Sequence, residues 1–153
     1  MAVRLGLLKQ CLHDPERHPV ECTQRDALLT FYYAAGGPNW DTMAGQGTTI
    51  WDPTTYPCSN SHPWVGIQCT FTNQVVSFHK NYQVVSSIDI NGATLLGTFY
   101  VLSGTMPAEL GSISTLTSLQ LENSRVSGTL PTELSNLNKL DNLAIWGNKI
   151  TGY

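Results

Sequence analysis

Charge is scarce in this sequence: Asp, Glu, Lys and Arg together make up 12% of its 153 residues, against about a quarter in an ordinary soluble domain. The net charge of −3 leaves no basic footprint, which argues against a nucleic-acid partner and against adsorption to an anionic membrane. No run approaches the ~18 apolar residues of a membrane span. Met1–Arg4 would suit the start of a signal peptide, but the apolar run Leu5–Leu8 stops at Lys9, too short for its core. Missing too are the nucleophile elbow G-x-S-x-G, the zinc helix H-E-x-x-H, the P-loop and the G-x-G-x-x-G fingerprint. His79 has no nucleophile or orienting acid beside it in sequence. The expectation is a protein that is not an enzyme and needs no cofactor.

The four cysteines, Cys11, Cys22, Cys58 and Cys69, lie in the first half. No C-x-x-C pair occurs, and His13, His18, His62 and His79 show no ligand spacing, so a zinc site gives way to disulfides and an oxidising compartment.

What the chain does contain is repetition. Leu116, Leu119, Leu121, Val126, Gly128, Pro131, Leu134 and Leu137 form an apolar ladder. A step of 24 residues forward lands on Leu140, Leu143, Ile145, Ile150 and Gly152; a step back lands on Leu102, Gly104, Pro107, Leu110 and Ile113. In L-T-S-L-Q-L and L-D-N-L-A-I, the Leu-x-Leu alternation predicts a short strand with one buried face. A turn follows, with Asn148 supplying an amide to its backbone, Ser124 in that slot one unit earlier and Ala93 before that. The T-L-P-T-E-L-S-N-L stretch then returns in 3₁₀-like turns. One such unit cannot bury its own apolar face, so neighbours must stack.

The consensus L-x-x-L-x-L-x-x-N-x-(V/I)-x-G-x-(L/M)-P-x-x-L-x-x-L resembles the plant-type leucine-rich repeat, also found in protist surface proteins. The segment before it is similar to that family's N-terminal cap: T-Q-R-D-A-L-L-T-F-Y-Y-A-A-G-G-P-N-W, then W-D, then P-C-S-N-S-H-P-W-V-G-I-Q-C. The resemblance covers Cys22 to Tyr153. It implies an α/β leucine-rich-repeat solenoid, right-handed, with a parallel sheet on the concave face, a 3₁₀ or irregular convex side and a disulfide-bonded helical and hairpin cap. The expected division is an unassigned tail at 1–21, the cap at 22–84 and about three repeats at 85–153, the last incomplete. Both ends read as cuts, so the chain is expected to continue into further repeats. The resemblance also implies a Cys58–Cys69 bridge. Cys11 and Cys22 are then left for each other, with Cys22–Cys58 still open.

In the cap, Thr23 with Asp26 three residues on is a variant of the capping box. Leu28, Phe31, Tyr32 and Ala35 share a helical face, and Gly36-Gly37-Pro38 stops the helix. Trp40, Trp51 and Trp64 are expected to fill the cap core. N-Q-V-V-S at 73–77 recurs as Y-Q-V-V-S at 82–86, which reads as an antiparallel hairpin guarding the sheet edge. Deleting Leu96–Leu102 restores standard register; this apolar insertion is a partner-binding bulge, a loop folded on the cap or a gene-model artefact.

The concave face should present Ser87, Asp89 and Asn91, then Ser118, Gln120 and Glu122, then Asn142, Ala144 and Trp146. Asp89 and Glu122 approach a glycosidase-like separation of roughly 10 Å, but no deep cleft is implied, and solvated acids are normal on such a face. Trp146 stands out where the equivalent positions are small or polar, and a rigid exposed aromatic is a typical interface anchor. The expected ligand-binding residues are Asp89, Asn91, Gln120, Glu122, Asn142 and Trp146. The expected function is extracellular or cell-surface recognition of a protein, peptide or glycan, by the N-terminal part of a larger receptor or surface protein. A structural or adhesive surface protein and a secreted enzyme inhibitor are the rival readings. No N-x-S/T sequon occurs, leaving every face free of N-glycan.

Overall fold

A helix that starts with proline sets the geometry of the N-terminal region. In the computed structural model, which describes residues 11, 18–37, 51–59, 63–71, 83–89 and 102–152, helix α1 spans Pro19–Ala34. Its start lies ahead of the expected Thr23 cap, and that expectation is corrected. Proline is tolerated at the first helical position because its missing N–H would have no helical partner there. His18 is the cap: its Nδ1 accepts from the Val20 N–H at 3.2 Å, while its own N–H donates to Glu21 Oε2 at 2.9 Å. Thr23 instead donates its hydroxyl to the Pro19 carbonyl. The other end matches expectation, with the helix finishing at Ala34 before Gly36-Gly37.

Leu28, Phe31, Tyr32 and Ala35 are buried, as their spacing predicts. Trp51 and Trp64 stack on one another at 5.1 Å, and Trp51 lies 6.2 Å from Phe31 and 6.0 Å from Tyr32. Each buried indole needs an acceptor. Trp51 Nε1 donates to the Val65 carbonyl and Trp64 Nε1 to Thr55 Oγ1. Trp40 lies outside the described residues. Two disulfides, Cys11–Cys22 and Cys58–Cys69, tie this region together, so the Cys22–Cys58 alternative is closed.

Strands β1 (Ile67–Phe71) and β2 (Gln83–Asp89) pair antiparallel; β4 (Ser118–Gln120) and β6 (Asn142–Ala144) extend that sheet in parallel, in the order β1-β2-β4-β6. The recurring Q-V-V-S element therefore does form a strand, but its described partner is I-Q-C-T-F rather than residues 73–77, which lie outside the described set. The reason is visible in the pairing: Cys69 sits opposite Val85, held by its bridge to Cys58. Strand β1 covers the edge that the hairpin was expected to guard.

Ser118 pairs with Asn142, one 24-residue period on. Ser87 pairs with Ser118, which is 31 residues away: the period plus the seven of the insertion. Residues 96–101 of that insertion lie outside the described set, while Leu102 is fully buried. A second parallel sheet, β3 (Ser103–Thr105), β5 (Arg125–Gly128) and β7 (Lys149–Ile150), runs in the order β3-β5-β7. Between the sheets the chain returns through 3₁₀ turns at Ala108–Ser112 and Thr132–Asn136, each following the proline of the repeat.

Helix α1 closes on the first of these units. The Ser103 N–H donates to the Ala35 carbonyl at 3.1 Å. Gly104 at φ +99° faces the Ala34 carbonyl so closely that a Cβ would overlap it. Only glycine meets both demands. Core leucines grade along the stack: Leu116, Leu119 and Leu121 are fully buried, whereas Leu143, one period later, is 45% exposed. Among the described residues no helix is long and apolar enough to cross a membrane.

Candidate functional site

The outward positions of β2, β4 and β6 form the candidate binding face, since they alternate with the inward apolar row Ile88, Leu119 and Leu143. Parallel pairing aligns Ser87, Ser118 and Asn142 in one row and Asp89, Gln120 and Ala144 in the next. The Leu121 N–H donates to the Ala144 carbonyl at 2.8 Å, and the Asn123 N–H to the Trp146 carbonyl at 3.0 Å. That second bond carries the alignment past the strands, so Glu122 and Trp146 are neighbours across the stack. Adjacent strands run ~4.8 Å apart. Asp89, Gln120, Glu122, Asn142 and Trp146 are thus brought onto one surface, and Asn91 lies outside the described residues. The two acids are offset, because Asp89 sits beside Gln120, two positions short of Glu122.

Exposure separates these residues. Trp146 is 62% exposed, as its position predicts. Glu122 is not the solvated acid expected of this face: it is 9% exposed, and its Oε2 is buried without a hydrogen-bond partner. Ser118 Oγ accepts from Gln120 Nε2 at 3.2 Å and from Asn142 Nδ2 at 3.3 Å. Ser118 was legible as an outward position, but its role as the hydroxyl that gathers two amides was not.

The turn behind Trp146 is held by Asn148, in the role its place in the repeat suggested. Its Nδ2 donates to the Leu121 and Ile145 carbonyls, and its Oδ1 accepts from the Val126 N–H at 3.0 Å. One side chain thereby satisfies backbone groups in two successive units. Ser124, in the same slot one unit earlier, makes only a 3.4 Å bond to the Glu122 carbonyl.

Two buried polar residues of α1 went unnoticed in the sequence. Gln24 accepts from the Val85 N–H at 2.9 Å and donates to Thr115 Oγ1 at 2.8 Å, joining α1 to β2 and to the turn before β4. Arg25 donates through Nε to the Thr55 carbonyl and through Nη2 to that of Pro53, and its guanidinium lies over the Tyr56 ring. Burial lowers the Arg25 pKa, opposed by Tyr56, Asp26 and Asp52. The signal was available: Gln24 lies four residues before Leu28 and seven before Phe31, on the apolar stripe itself. Among the described residues no group of three or more His, Cys, Asp or Glu is placed to hold a metal ion.

No protein-family model matches the chain, and no curated protein matches it. Solved structures do. The leucine-rich-repeat ectodomain of the receptor kinase SOBIR1 from Arabidopsis thaliana aligns with a TM-score of 0.58 at 17% identity, over 82% of this chain and 54% of that one. A plant ice-binding protein aligns with a TM-score of 0.42 at 19% identity, over 84% of this chain and 41% of that one. The fold is therefore mixed α/β with parallel sheets, similar to a leucine-rich-repeat ectodomain, and the chain spans about half the length of that ectodomain.

Proposed function

We propose that the chain is the capped start of a plant-type leucine-rich-repeat solenoid, an extracellular recognition module that binds a protein or peptide on its concave sheet. It is a binding module rather than an enzyme. The observation that carries this reading is the Trp146 indole, 62% exposed on an aligned face of small and polar residues. A large exposed aromatic costs solvation in the free protein and contributes most once a partner covers it. The two disulfides suit an oxidising, extracytoplasmic compartment. The likeness to a receptor ectodomain supports the same class, and the concave face is where stacked units offer an extended surface.

Selection of a displayed random peptide library on the purified chain tests this. Peptides recovered on the wild type should lose about thirtyfold in affinity, ~2 kcal/mol, with Trp146→Ala. Glu133→Ala, an exposed change in the second 3₁₀ turn, should leave them unaffected. Peptides that depend on Glu133 and ignore Trp146 would place binding on the opposite side. A library that yields no binder favours a rigid spacer.

A further inference from the structure

We infer that Glu122 and Trp146 form a recognition site for a cationic side chain of the partner, with arginine the best fit. This rests on the concave-face reading above and adds the chemistry of what that face takes. Three observations carry it, and they are independent of one another.

The first is the carboxylate itself. Glu122 is nine-tenths buried, its Oε2 has no hydrogen-bond partner, and no described cation offsets its charge. A buried carboxylate ordinarily brings its own partner, because the desolvation penalty is otherwise uncompensated. A protein that leaves one unpaired beside a binding surface holds it ready for a cation supplied from outside. The second is the neighbour. The bond from the Asn123 N–H to the Trp146 carbonyl puts Trp146 one strand away from Glu122, and its indole is 62% exposed on that face. A guanidinium or ammonium near a carboxylate gains further from the face of a tryptophan, the best of the cation–π partners.

The third is the polarity of the surrounding face. Gln120 and Asn142 each spend one amide N–H on Ser118 Oγ, and each keeps a carbonyl oxygen and a second N–H. Asp89 and Glu122 give the face its negative charge. Among the described residues the basic ones lie off these strands: Arg25 is in α1, Arg125 and Lys149 are on β5 and β7 of the other sheet, and Lys139 precedes β6. A guanidinium brings five donors and no acceptor, which suits the carboxylates of this face.

The test uses the intact chain, ¹⁵N-labelled, with the peptide Ac-Gly-Arg-Gly-NH₂ and its citrulline counterpart, which keeps the shape and loses the charge. The Trp146 indole resonance, assigned through Trp146→Phe, should shift saturably with the arginine peptide at low-millimolar concentration. Citrulline should bind at least tenfold more weakly, and Glu122→Gln should weaken arginine binding tenfold or more. Thermal melting supplies a second readout: with its uncompensated charge removed, Glu122→Gln should melt about 2–4 °C higher than the wild type. Equal binding of arginine and citrulline, or by wild type and Glu122→Gln, overturns the cation site while leaving Trp146 free to act as an apolar anchor. Absence of any Trp146 shift up to about ten millimolar overturns it too. A lower melting temperature in Glu122→Gln would show the carboxylate to be structural and refute the inference. Failure of the peptide-library test with Trp146→Ala would refute the wider reading separately.

Discussion

Replacing Gln24 by leucine is the sharpest probe of how the cap is fastened to the repeats. The Gln24 amide is 3% exposed and joins three elements. Its Oε1 takes the Val85 N–H, its Nε2 gives to Thr115 Oγ1, and Thr115 gives its proton to the Val85 carbonyl at 2.6 Å. Leucine keeps the volume and deletes both bonds. The buried Val85 N–H is then unpaired, at about 1–3 kcal/mol, and the bond to Thr115 is lost at about 1 kcal/mol. Added apolar burial returns roughly 1 kcal/mol, so the net loss should be about 2 kcal/mol. Glutamate should be worse at neutral pH: it still accepts from Val85, but its second oxygen would face a hydroxyl whose proton is already committed, and it buries a charge. Urea unfolding of the disulfide-intact protein, followed by tryptophan fluorescence, measures both, because Trp51 and Trp64 sit in the same core. Thr23→Ala, exposed on the same helix, is the control and should stay within about 0.5 kcal/mol of wild type. A Gln24→Leu protein as stable as that control would refute the argument.

Gly104→Ala should cost about 3 kcal/mol or more, since it combines a positive φ with overlap on the Ala34 carbonyl. Gly152→Ala, also at positive φ but with nothing within 4 Å, should cost only about 1–2 kcal/mol; equal melting temperatures for the two would deny the close approach. Non-reducing peptide mapping should recover Cys11 with Cys22 and Cys58 with Cys69, and a Cys22–Cys58 peptide would contradict the fold described. Removing the second bridge by the double change Cys58→Ser and Cys69→Ser should cost about 2–4 kcal/mol in urea unfolding.

The repeat was legible because stacking imposes a strict period. Leu119 must meet Leu143 and Ser118 must meet Asn142, so positions 24 apart repeat in chemical type. Even the insertion showed, because the pairing of Ser87 with Ser118 skips exactly the seven residues that break the period. What could not be read depended on contacts between segments with no common period. The start of α1 is one case: Thr23 and Asp26 imitate a capping box, but His18 and Glu21, with Pro19 at the first helical position, form the real one five residues earlier. The partner of β2 is another, because the similarity of residues 73–77 and 82–86 says nothing about which strand the Cys58–Cys69 bridge holds in place.

The burial of Glu122 shows why a periodic reading identifies a face but misses its chemistry. Alternation assigns Glu122 outward, and in an isolated strand it would be solvated. In the stack its neighbour is whatever lies 24 residues on, and here that residue is Trp146. Yet Glu122 is 9% exposed while Trp146 beside it is 62% exposed, a contrast that the alternation alone does not give. Desolvation strengthens the pull of a carboxylate on an incoming cation, because the effective dielectric falls as water is displaced. In the proposed site the Trp146 indole adds the apolar and π contacts that a solvated acid alone would lack. Pattern places the residues, and the pair of side chains that pattern happens to bring together decides what they can bind.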